Sequence, residues 1–206
     1  MNMKHRLTVA SAFVAFALAA SSSPAFAAAV AGQLAPDFAL TDTHGKAVRL
    51  SDYRGKYVVL EWTNPDCPFV QRHYNTRNMP ALQKEWGAHD VAWLSIDSSS
   101  RDSREFKTAA ELNAWMGARD ASQKAVLIDS DSATARLYAA KTTPHMFVIN
   151  PDGRIIYAGA IDDRPRASAD ETTKAKNYVR TALTAATGGA AVDPASTTPY
   201  GCSIKY

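Results

Sequence analysis

Apolar and polar positions alternate between two periods along the chain. Tyr57 to Trp62 and Val91 to Ile96 are nearly continuous apolar runs of β-preferring residues, the pattern of strands buried on both faces of a sheet. Between them the spacing turns helical: Phe69, Val70, His73 and Tyr74 recur at steps of one, three and four, and Leu82 and Trp86 share one helical face. Pro36 to Leu40 and Val48 to Leu50 flank the polar turn Thr43 to Lys46, which predicts a small hairpin in front. Thr108 and Glu111 form a capping box that opens a helix ending near Gly117. A short strand over Ala125 to Ile128 and a helix over Ala133 to Ala139 follow. Thr143 to Ile149 and Arg154 to Gly159 are β-rich runs joined by Asn150-Pro151-Asp152-Gly153, the clearest hairpin of the chain. A second capping box, Ser168 with Glu171, predicts one helix running through Ala175, Tyr178, Val179, Ala182, Leu183 and Ala186 to the glycines at 188 and 189. This order of elements predicts an α/β fold: a central mixed β-sheet flanked by helices on both faces, with an N-terminal β-hairpin.

Two stretches lie outside that pattern. Residues 1–27 carry a basic start (Lys4, His5, Arg6), an apolar run from Leu7 to Ala20 and the small-residue site Ala25-Phe26-Ala27, the layout of a cleavable signal peptide. The run is shorter than the roughly 20 residues that span a bilayer. Export is therefore expected, with the periplasm as the favoured compartment, secretion as the alternative and no stable membrane insertion once the signal is cut; a short membrane anchor is the competing reading. The globular domain is expected over 28–189. Residues 190–206 hold few large apolar residues before Tyr200 and contain Pro194 and Pro199, which predicts an extended C-terminal tail. Without Lys4 and Arg6 the formal charge of +3 falls to near neutral, so no basic field is available for nucleic acid.

Both cysteines, Cys67 and Cys202, lie in the exported part, where paired thiols persist as disulfides. Cys67 follows the end of the first buried strand and precedes Pro68, a favoured first helical residue. Its sulfur is therefore expected beside the unsatisfied N–H groups of a helix start, which favour thiolate, the form that attacks disulfides. The C-terminal end of a strand is also where α/β sheets hold their ligands. An inert structural cysteine is the competing reading.

Asn64-Pro65-Asp66-Cys67-Pro68-Phe69-Val70 after an apolar strand, Thr143-Pro144 before another, and Asn150-Pro151-Asp152-Gly153-Arg154 in the last hairpin together resemble a thioredoxin-fold redoxin. More narrowly, the chain is similar to the peroxiredoxin-like members of the alkyl hydroperoxide reductase and thiol-specific antioxidant family. The resemblance implies a thiol-dependent oxidoreductase with Cys67 as attacking cysteine and no cofactor. It also implies a substrate-binding surface around Pro68, Thr143 and Pro144, the last matching the cis proline beside which an extended peptide can add as a strand. Glu61, six residues before Cys67, matches a buried acid that handles protons; the competing reading is a surface glutamate. The sequence departs from both parent patterns. Val70 stands where a Cys-x-x-Cys loop has its second cysteine, and Leu60 and Asn64 stand where peroxiredoxins carry proline and threonine or serine. A protein or small-molecule disulfide is thus favoured as substrate over a peroxide, with an unidentified reductant.

Cys202 is the remaining cysteine and the expected resolving partner. The 14 steps from Gly188 allow a flexible span of about 20 Å. A permanent staple between tail and domain is the alternative, and pairing across two chains stays open. Two other function classes compete: a copper chaperone using Cys67, His73, His145 and Cys202 as soft ligands, and a redox-inert binding module presenting the groove beside Pro144. No pair of these residues has a close metal-binding spacing, so no metal site is expected.

Overall fold

The computed structural model describes residues 29–204 and 206. The leader read over residues 1–27 lies outside the described residues. Seven strands form the main sheet: β1 (Ala39–Asp42), β2 (Ala47–Arg49), β3 (Val58–Thr63), β4 (Ala92–Asp97), β5 (Ala125–Ile128), β7 (His145–Ile149) and β8 (Ile155–Gly159). Their spatial order is β2-β1-β5-β4-β3-β7-β8. The sheet is mixed: β3, β4 and β5 run parallel, while β7 is antiparallel to β3 and β8 to β7. The front hairpin joins at β5, pairing Thr41 with Ile128. Every residue of β3, β4 and β7 is buried, which is why those runs read as continuous rather than alternating.

Helices cover both faces. On one, α1 (Pro68–Asn75), α2 (Asn78–Gly87), α3 (Ala109–Gly117) and α6 (Tyr178–Thr187) bury Val70, Tyr74, Leu82, Trp86, Leu112, Met116, Val179 and Leu183 against Val59, Trp93 and Val148. On the other, α4 (Ala133–Leu137) and the turn after it pack Ala135 and Tyr138 against Trp62 and Phe147. Trp62, Tyr138 and Phe147 form a triangle of rings with centroids 5.3–5.4 Å apart. Burying each such side chain is worth about 1.5–3 kcal/mol.

The helix expected from Ser168 to Ala186 is two helices. The capping box at Ser168 and Glu171 is present, but it opens only α5 (Ala169–Thr172). Asn177 then turns extended and caps α6 afresh, its side chain accepting from Arg180 N–H at 2.9 Å. The break exists because the intervening chain binds elsewhere: Tyr178 N–H reaches Ile161 O at 2.9 Å, and Asn177 bridges to Asp162. A polar residue able to cap in mid-pattern, Asn177, was the sequence signal for this division.

The tail is extended, as its composition predicts, and it is docked along its length. Ser196 bridges to Ala158 in β8, with Ala158 N–H on Ala195 O and Thr197 N–H on Ala158 O. Thr197 Oγ1 accepts Ala160 N–H at 2.9 Å and meets Tyr157 Oη at 2.6 Å. Beyond it, β9 (Cys202–Ser203) pairs antiparallel with β6 (Thr142–Thr143) in a separate two-stranded sheet. Ile204 N–H bonds Lys141 O, and Tyr206 Oη bonds Ala140 O.

Candidate active site

Cys67 is the N-cap of α1 and Pro68 its first residue, so the helix begins where the sequence placed it. Asn64 builds the loop that leads there. Its side chain accepts Asp66 N–H at 2.7 Å and donates to Ser99 Oγ and Glu105 Oε2, while its carbonyl accepts Cys67 N–H at 3.1 Å. Lys107 pairs with Asp66 and pins the outer side.

The sulfur of Cys67 is directed differently from the sequence expectation. It makes no capping hydrogen bond to α1. Instead Sγ donates to the carbonyl of Thr143 at 3.0 Å. Thr143 stands opposite Cys202 in the β6–β9 pairing, so one carbonyl and one short strand hold both sulfurs together. Both cysteines are free thiols, Cys67 buried at 2% exposure and Cys202 half-buried. Burial, followed by the hydrogen bond to Cys67, pushes the Cys202 thiol up to about 12. The Thr143–Pro144 peptide is cis, as the resemblance implies. Pro68 is exposed at the mouth of the site, and Thr143 and Pro144 are buried beneath the tail.

Glu61 is wholly buried, so it is not a surface residue. Tyr74 Oη donates to Oε1 at 2.9 Å, and Trp93 Nε1, Ser95 Oγ and Gln83 Nε2 donate to Oε2 at 2.7, 3.0 and 3.2 Å. Burial raises its carboxyl above the usual range in spite of these four donors. Neither cysteine is among its partners; Glu61 meets the site by tying β3 and β4 to α1 and α2.

His73 is fully buried, and neither of its nitrogens is available to a metal. Nε2 lies 3.1 Å from Tyr200 Oη and Nδ1 lies 2.8 Å from Asn78 Nδ2. Its Nε2 is 3.9 Å from Asp162 Oδ2, but this is not an ion pair: burial and the neighbouring Arg72 lower the imidazole to about 3. His145 Nδ1 accepts Lys141 N–H at 3.2 Å, and burial, with Lys141, lowers that ring to about 4. Among the described residues no three His, Cys, Asp or Glu side chains are grouped to hold a metal.

The sequence reading missed the group that fixes the tail. Tyr200 Oη donates to Asp162 Oδ1 at 2.5 Å and accepts from Arg72 Nη2 at 3.2 Å. Its ring packs on Phe69, with centroids 5.8 Å apart. Gly201, at φ +146°, passes so close to the Thr143 carbonyl that a Cβ there would overlap it. The isolated aromatic residue and the glycine immediately before Cys202 were the available signals.

A model of the AhpC/TSA family matches residues 31–158. The thiol-disulfide oxidoreductase ResA of Bacillus subtilis (strain 168) is 28% identical over 126 residues, covering 61% of this chain and 64% of that protein. The match therefore spans somewhat less than two thirds of that relative. The crystal structure of an uncharacterized conserved protein from Geobacillus kaustophilus superimposes with a TM-score of 0.75 at 25% identity, covering 86% of this chain and 93% of that one. A putative thiol:disulfide interchange protein DsbE from Chlorobium tepidum gives a TM-score of 0.52 at 24% identity, covering 62% and 83%, a likeness of fold.

Proposed function

Since the chain belongs to the AhpC/TSA family and has the thioredoxin-like fold, we propose that it is a thiol-disulfide oxidoreductase in which Cys67 attacks and Cys202, on the same chain, resolves. The observation that carries this reading is the seating of Cys202 opposite Thr143, whose carbonyl also receives the Cys67 sulfur. The similarity to ResA supports the same class of reaction.

The steps balance as two exchanges. The Cys67 thiolate attacks one sulfur of a substrate disulfide, forming a Cys67–substrate bond and expelling the other sulfur as a thiolate. Cys202 then attacks the Cys67 sulfur as its proton passes to the departing substrate sulfur, forming Cys67–Cys202 and releasing the second half of the substrate as a thiol. A dithiol reductant reverses the sequence and restores both thiols. Val70 prevents resolution inside the loop, so the tail supplies the second sulfur. Leu60 and Asn64, in place of the peroxide-binding pattern, favour a disulfide as the oxidant. The basic and apolar leader supports export to the periplasm, where such a pair would cycle against exported partners.

The test is to mix reduced protein with a small disulfide and map peptides without reduction. The expected product is an intrachain Cys67–Cys202 bridge. Cys202→Ser should stop at a stable mixed disulfide on Cys67. No adduct on Cys67 in that variant would defeat the assignment, as would turnover at an unchanged rate.

A further inference from the structure

The last residues of the tail fill a groove with distinct seats, and each is built for a particular side chain. The first takes an aromatic ring with a hydroxyl. Tyr200 packs its ring at a tilt against Phe69, lies under the Arg72 guanidinium at 5.8 Å from the ring, and reaches buried Asp162 and His73 with its oxygen. Arg72 is itself held in place by the carbonyls of Pro165 and Ala167, each at 2.9 Å, so this seat is a fixed wall. The second admits no side chain: a Cβ at 201 would overlap the Thr143 carbonyl, which is buried and held by the Cys67 sulfur. The third places a cysteine opposite Thr143, whose carbonyl receives the Cys67 sulfur. Pairing with Thr142 and Thr143 fixes the register, so the three seats are read in order.

Building on the reading of Cys67 as nucleophile, we propose that this groove is a recognition site for an extended polypeptide carrying an aromatic residue and a glycine immediately ahead of the reacting cysteine. The chain's own Tyr200-Gly201-Cys202 occupies it as a tethered ligand that the incoming polypeptide must displace. Cys67, at 2% exposure beneath this segment, is covered while the tail is seated. Strand addition by an outside peptide uses the same backbone groups of Thr142 and Thr143 that β9 uses, so the two cannot be seated together. Main-chain pairing supplies affinity and the flanking seats supply selection, as in other strand-addition grooves.

The test uses full-length protein and a synthetic peptide, Thr-Pro-Tyr-Gly-Cys-Ser, whose cysteine is joined to thionitrobenzoate. Attack by Cys67 forms a Cys67–peptide disulfide, breaks the peptide–thionitrobenzoate bond and releases the coloured thiolate. Two control peptides replace Tyr or Gly with Ala. Cys202→Ser keeps the tail seated and removes its sulfur. Gly201→Ala combined with Cys202→Ser unseats the tail. In the unseated protein the Tyr-Gly-Cys peptide should react at least about tenfold faster than either control, a difference of about 1.4 kcal/mol. The same peptide should react more slowly, by a comparable factor, with the seated protein. Tyr200→Phe in place of Gly201→Ala removes only the oxygen that binds Asp162, Arg72 and His73, and should give a smaller gain in the same direction. An unseated protein that reacts with dithionitrobenzoate but treats the three peptides alike overturns the groove and leaves the Cys67 reading standing. One that reacts with neither peptides nor dithionitrobenzoate overturns both.

Discussion

Cys67, Cys202 and the two buried histidines carry the most readily measured residue-level consequences. Because burial and the hydrogen bond to Cys67 push the Cys202 thiol up to about 12, it should resist iodoacetamide at pH 8 in the reduced protein, as read by mass spectrometry; rapid labelling there would contradict the seated tail. His73 and His145, lowered to about 3 and about 4, should keep the carbon chemical shifts of neutral rings down to roughly pH 5. Each ring protonates near 6.5 in the unfolded chain, so each contributes stability that is lost as the pH falls through that window. Asp97, raised by burial to about 6, works in the opposite direction over part of the same range, so site-resolved titration is a cleaner measurement than a melting curve. Glu61→Gln would turn an amide N–H toward at least one of the donors now aimed at the carboxylate, and should cost about 1–3 kcal/mol in denaturant melts. A proton-handling role for Glu61 would in addition shift the pH–rate profile of Cys67; with four donors on its oxygens and no bond to the sulfur, that profile should stay in place. Cys67 and Pro68 were legible in the sequence from the strand end and helix start that they join, whereas Pro144 and Glu61 were singled out only through the resemblance to thioredoxin-fold redoxins. The direction of the Cys67 sulfur was not legible, since it depends on a carbonyl 76 positions away.

At the scale of elements, the buried strands and both capping boxes were readable because their signals are local. Continuous apolar runs mark β3, β4 and β7, and Thr108 with Glu111 closes its box as expected. The division between α5 and α6 was hidden because apolar spacing continues across it, and only tertiary pairing at Ile161 and Asp162 shows that Asn177 caps a new helix. The tail strand was hidden for a similar reason: β9 and β6 have two residues each, too few for any period. Within the tail, Thr197 is the fastening for the middle portion. Thr197→Val should leave Ala160 N–H without its partner, take one of two partners from Tyr157 Oη, and raise amide exchange over residues 195–198, while α6 and the main sheet keep their protection. Unchanged exchange in that segment would mean the backbone pairing with Ala158 suffices to hold it.

For the whole molecule, the many contacts along the tail bear on what a Cys67–Cys202 bridge does. A disulfide that closes a flexible loop typically contributes 2–5 kcal/mol to a small secreted domain. Here the tail is already fixed at Thr197, Tyr200, β9 and Ile204, so Cys202→Ser should cost less than about 1 kcal/mol relative to the oxidised, bridged protein. A large loss of melting temperature in that variant would favour a structural staple. The bridge from Ser196 to Ala158 has a further consequence. β8 is the outer strand of the sheet, and a bare outer strand is a template on which a second molecule can pair. Residues 195–197 lie along it and shield it. On the proposed mechanism the tail divides at about Pro199: the part beyond it is expected to leave during turnover, and residues 195–197 are expected to stay on Ala158 and limit self-association. A stop codon after residue 199 should leave a monodisperse protein, whereas a stop after residue 189 should yield one that aggregates through β8.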